Sequence, residues 1–137
     1  MGKKVVYKVK AEDSTFFVAA INSAEDDYHL AWLLNNNLKT KLVRTEHLTD
    51  STEQTFPAFF YLDEVGGISY TLASNKIGAS HLLPQLKNVD YIFKISGTLT
   101  DNFQAETLSK IRSLREITAC ILIKSGPPSL LNFFRNL

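Results

Sequence analysis

The apolar positions of this chain fall into two kinds of stretch. Continuous apolar runs bounded by polar residues read as strands, and two longer segments repeat at helical spacing. TFFVAAI (15–21), a segment around 40–44, VDYIFKISG (89–97) and TACILIK (118–124) are of the first kind. FPAFFYLDE and ISYTLASNK flank Val65-Gly66-Gly67 and predict a hairpin, since paired glycines accept the positive φ of a tight turn. KKVVYKV (3–9) is too short to separate a strand from a helical turn, and TDSTEQT (49–55) reads as a polar loop.

The first helix is expected over 24–36, with Ser23 as N-cap and Glu25, Asp26 and Asp27 at the positive end of its dipole. Leu30, Leu33 and Leu34 make its apolar stripe, widened by Ala31 and Trp32, and Asn35-Asn36-Asn37 supply the stop. The second is expected over 102–114 behind Asp101, with Gln104 at the capping-box position. Phe103, Thr107, Leu108, Ile111 and Leu114 fall on one face, and Lys110, Arg112 and Arg115 load its end. Pro127-Pro128 should end the last strand, and the tail SLLNFFRNL is apolar enough to dock on something. Consecutive strands joined by a hairpin, framed by two main helices, predict an α+β fold with a mostly antiparallel or mixed sheet.

Composition adds limits. At 137 residues with 45% apolar content, residues 1–137 read as one domain with a sizeable core. The net charge of +1 offers no general capture of nucleic acid. Cys120 stands alone, the start MGKKVVYKVK has no apolar leader region, and no run is long enough to span a bilayer. The expectation is a cytoplasmic protein in a reducing compartment, with no membrane association.

LPQLKNVDY (83–91) resembles the signature of the bacterial IPExxxVDY family, with Leu83, Pro84, Val89, Asp90 and Tyr91 at matching positions. Leu83 stands for the usual Ile and Gln85 for the usual Glu. DYHLAWLLNNNL (27–38), LVR (42–44), FFYLDE (59–64) and SNK (74–76) are also similar to this family, so the likeness runs from about residue 16 to residue 124. The resemblance implies a lineage and no activity.

Little in the chain reads as catalysis. An acid at the start of an apolar strand, Asp90 is expected to accept backbone N–H bonds from the loop containing Pro84, with interface recognition or catalysis as alternatives. Lys94 shares its strand face but lies about 13 Å further along. His29, one turn from Glu25 and Asp26, lacks a third ligand, and His47 and His81 have no fixed relation to it, so no metal and no cofactor are expected. Cys120 has no nearby cation to activate it and reads as inert core. Lys39, Lys41 and Arg44 near Phe59, Tyr61 and Tyr70 suggest a nucleic-acid platform, but core aromatics with a basic rim explain them better.

The strands are apolar on both sides, as in PAFFYLD, where Ala58, Phe60 and Leu62 alternate with Phe59 and Tyr61. Two helices cover about one face of such a sheet. The second face then needs the tail, sheet curvature or another chain, and a C2 homodimer is the expectation. The leading reading is a non-enzymatic binding or assembly module with a protein partner or a second copy, Pro84 to Tyr91 positioning the contact. The alternative is a small-molecule-binding protein or weak enzyme with a sheet–helix pocket lined by Tyr61, Asp90, Lys94 and Arg44, and a nucleic-acid binder is third.

Overall fold

The computed structural model describes residues 15–45, 48–49, 55–123 and 128–137. β1 (Thr15–Ser23) leads into α1 (Asp27–Leu38) and the short strands β2 (Val43–Arg44), β3 (Leu48–Thr49) and β4 (Thr55–Phe56). The hairpin β5 (Ala58–Asp63) and β6 (Ile68–Ser74) follows, then β7 (Lys76–Ile77), β8 (Ser80–His81) and a 3-10 turn at Pro84–Leu86. β9 (Tyr91–Gly97), α2 (Asp101–Arg112), β10 (Ile117–Ile123) and α3 (Pro128–Asn136) complete the order. Six strands form one antiparallel sheet in the order β10-β1-β9-β6-β5-β2, so the chain is α+β as expected. The expected segment at 3–9, most of the polar loop at 49–55 and the end of the last strand at 124–127 lie outside the described residues.

Local chemistry moves several boundaries. Asp26, rather than Ser23, caps α1, its side chain accepting the His29 N–H. Ser23 ends β1 instead, where its hydroxyl donates to Glu116 O and accepts from Glu25 N–H. The three asparagines do not stop the helix. It runs past them to Lys39, which takes the left-handed conformation at φ 60°, while the Asn35 side chain ties down Thr40 and Leu42. Thr100 caps α2 by accepting the Phe103 N–H, so the capping box expected from Asp101 and Gln104 does not form. At the tip of the β5–β6 hairpin only Gly67 needs a positive φ. Its carbonyl also approaches Gly97 so closely that a Cβ there would sit 2.5 Å from it.

Strand alternation divides the core. Phe17, Ala19, Ile21, Leu72, Phe93, Ile95 and Cys120 share one face and pack under α1 and α2. Val18 and Ile92 share the other face and pack with Leu83, Leu130 and Phe134, the last two from α3. Phe56, Ala73 and Leu82 extend that second layer.

α3 adds a shorter third helix to the two main ones expected. The tail folds as an amphipathic third helix and shelters much of the second sheet face. The homodimer expectation loses the argument that the chain's own helices are too few to cover its sheet. Among the described residues no helix is long and apolar enough to cross a membrane.

Candidate functional site

The acid at the β9 entry has a defined job. Asp90 Oδ2 accepts the backbone N–H of Ser23 at 3.0 Å, and Oδ1 lies 2.9 Å from Lys76 Nζ. The Asp90 N–H donates to Asn22 Oδ1 at 2.9 Å. Asp90 thus joins the end of β1 to the start of β9 and β7. The expected partner was the loop containing Pro84, and that loop is held by another residue. Asn75 is fully buried; its Oδ1 accepts the Leu83 N–H, and its Nδ2 donates to Leu86 O and Val89 O. Its own N–H donates to Asp90 O and its carbonyl accepts the Leu82 N–H. Asn75 therefore closes the whole turn, its side chain holding Leu83 to Val89 and its backbone the two ends at Leu82 and Asp90.

Next to this anchor is a cleft of about 130 Å³ lined by Ser23, Ser74, Lys76, Asp90 and Tyr91. The Tyr91 hydroxyl donates to Glu25 O at 2.6 Å. Burial first, then Asp27, Asp26, Asp90 and Glu25, push its pKa up to about 12. Ser74 pairs in register with Tyr91 and shares its sheet face. It is 8% exposed, and its hydroxyl has no hydrogen-bond partner among the described residues.

The remaining sequence candidates lie elsewhere. Pro84 is exposed at the start of the 3-10 turn. Tyr61 stacks on Tyr70 with ring centroids 5.7 Å apart, across the strands from Asp90. Arg44 sits over the rings of Tyr28 and Phe59, 5.1 and 5.5 Å from their centroids, and 3.6 Å from Asp27 Oδ2. Lys94 lies on the opposite sheet face, buried beneath α3, where Nζ donates to the carbonyls of Arg135 and Leu137 at 3.3 Å. Burial lowers its pKa, and the Phe16 ring lies 5.2 Å away. The pocket expected from Tyr61, Asp90, Lys94 and Arg44 is not assembled. Of the six candidates, only Asp90 and Tyr91 meet.

His29 pairs with Glu25, His81 is half-buried in β8, and His47 lies outside the described residues. No three metal-ligating side chains converge among the described residues. Cys120 is buried; burial raises its thiol pKa against the opposing pull of Arg112, whose Nε donates to the Cys120 carbonyl. Phe59 and Tyr70 are core residues, which removes them as a stacking platform for bases. Tyr61 is half-buried, and the exposed aromatics among the described residues are Tyr28 and Trp32 on α1, at 62% and 60%, and Phe60 on β5, so Trp32 does not widen the buried stripe.

Sequence reasoning missed Ser74, Asn75 and Lys76 as site residues. Nothing local marks Asn75 as buried, because its three partners come from 8 to 14 residues away. Comparisons of the chain with models of known families, with curated proteins and with solved structures find no match.

Proposed function

We propose that this chain is a non-enzymatic cytoplasmic binding and assembly module that acts as a homodimer, in the lineage marked by the IPExxxVDY signature. The distribution of exposed apolar side chains carries this reading. Among the described residues, Tyr28, Trp32, Val43, Phe60, Leu62 and Val65 stand on α1, β2, β5 and the hairpin tip, at the β2–β5 end of the sheet, with Val43, Phe60 and Leu62 on one sheet face and Tyr28 on the other against Phe59. Among the described residues, the other large exposed hydrophobics, Ile77 and Ile121, lie away from that end. Scattered exposed apolar residues are ordinary on a monomer, whereas a set gathered at one end of a sheet, with Trp32 and with Tyr28 beneath Arg44, contains the residue types enriched at interface centres.

That end is also a sheet edge. β2 pairs only with Phe59 and Phe60, so β5 from Tyr61 to Asp63 has no ladder partner on its outer side among the described residues. A second copy would supply both a strand for this edge and an apolar cover for the rings beside it. The test is light scattering or sedimentation of the wild type beside Leu62→Lys and Trp32→Ala. The expected result is a dimer that both substitutions convert to the 15.4 kDa monomer. A wild type that stays monomeric at high micromolar concentration would overturn the homodimer, and a dimer indifferent to both substitutions would overturn this edge as its interface.

A further inference from the structure

In the cleft beside Asp90 a buried polar side chain lines open space without a hydrogen-bond partner among the described residues. Ser74 sits at the end of β6, its backbone N–H donates to Pro57 O, and its hydroxyl is left over. The other hydroxyls on the cleft wall are engaged: Ser23 Oγ donates to Glu116 O and accepts from Glu25 N–H, and the Tyr91 hydroxyl donates to Glu25 O. Buried hydroxyls in native proteins have partners as a rule, so an orphan on a cavity wall points to something that fills the cavity.

The charges on the wall limit what that is. Lys76 Nζ and Asp90 Oδ1 are 2.9 Å apart. An ammonium has three donors and a carboxylate about four acceptor sites, so this contact leaves both groups with capacity to spare. A ligand with one charge would gain from one of them and be repelled by the other, whereas a ligand with both charges gains twice. The volume of about 130 Å³ is close to that of a cavity that admits benzene, enough for a compact group of a few heavy atoms. The acids of the α1 entry, Glu25, Asp26 and Asp27, act on the Tyr91 hydroxyl, so the Tyr91 side of the cleft favours the positive end of such a ligand. Lys76 and the free Ser74 hydroxyl supply donors for the negative end.

We propose that this cleft binds the zwitterionic head group of a free α-amino acid. Its carboxylate accepts from Ser74 Oγ and Lys76 Nζ, and its ammonium donates to Asp90. The amino-acid side chain leaves through the open mouth of the cleft. This site is separate from the α1–β5 side assigned to the second copy, and it holds whether or not the protein dimerises.

Calorimetric titration of the folded protein with each of the twenty free L-amino acids tests the proposal, alongside the matching decarboxylated amines and N-acetylated acids. At least one amino acid should bind saturably at millimolar concentration or better, and neither truncated analogue should match it. Ser74→Ala should melt like the wild type in the absence of ligand and bind about tenfold more weakly, the worth of one hydrogen bond. Lys76→Gln, at an exposed position, should weaken binding by at least as much and provides a second variant should Ser74→Ala fold poorly. Absence of saturable binding by all twenty would overturn the proposal. So would equal binding of an amine or N-acetylated analogue, or unchanged affinity in Lys76→Gln.

Discussion

Asp90 Oδ2 accepts the backbone N–H of Ser23 across 67 residues of sequence, so the carboxylate that opens β9 fixes the point where β1 turns toward α1. The same side chain reaches Lys76, and its backbone N–H is held by Asn22. This acid at the mouth of an apolar strand is a joint between three segments.

Asp90→Ala should therefore lower stability by about 1–3 kcal/mol, because Ser23 is buried and its N–H would lose its partner. Asp90→Asn keeps an oxygen for that N–H and loses only the ion pair with Lys76, which is partly exposed and worth about 1 kcal/mol or less. Urea denaturation of the two variants should rank alanine well below asparagine. Equal losses would mean that the ion pair, and not the Ser23 bond, carries the effect.

Asn75 should tolerate less. Its side chain donates to two carbonyls and accepts one N–H in a fully buried setting. Asn75→Asp replaces the two donors by a carboxylate oxygen facing Leu86 O and Val89 O, and the expected loss is at least about 3 kcal/mol. Asn75→Ala should exceed Asp90→Ala in the same denaturation series. A Asn75→Ala variant as stable as the wild type would show that the Leu82–Asp90 turn holds itself together.

The contrast between these two residues shows what was legible in the chain. Period and turn chemistry located the β5–β6 hairpin and both long helices, because an alternating run around Gly67 or a stripe of Leu30, Leu33 and Leu34 is a local signal. Asp90 drew notice as an acid in an apolar setting, but its partner Ser23 is set by the pairing of β1 with β9, which no local pattern specifies. Asn75 gave no signal because an asparagine beside a turn is common on surfaces. The C-terminal tail was legible as apolar. Its role as the cover for Val18 and Ile92 follows from the sheet order, which places β1 beside β9.

Phe134 tests that cover. It is almost fully buried against Val18, Ile92 and Leu83, and Phe134→Ala should cost about 3–5 kcal/mol through lost burial and the cavity left behind. The same variant should bind more of an apolar dye at the second sheet face than the wild type does. A loss below about 1 kcal/mol in chemical denaturation would mean that α3 is not the element sealing that face.

Alkaline titration separates two buried groups that act with opposite signs. Tyr91 is raised from 10.0 to about 12, so the stability contributed by its neutral phenol is complete below pH 10 and is lost as pH rises toward 12. Lys94 is lowered from 10.5 by burial, so its charged form is a cost at neutral pH. That cost is relieved as pH climbs through the lowered folded-state value toward 10.5, where the unfolded chain still binds the proton. In a series of melting curves above neutrality, Lys94→Met should abolish the relief below pH 10.5, and Tyr91→Phe should flatten the loss above pH 10. Tyr91→Phe also removes the donor to Glu25 O, which lowers stability equally at all pH below 10 and so appears as an offset rather than a slope. A Tyr91→Phe profile parallel to the wild type above pH 10 would show that the phenol ionises as freely in the folded chain as in the unfolded one.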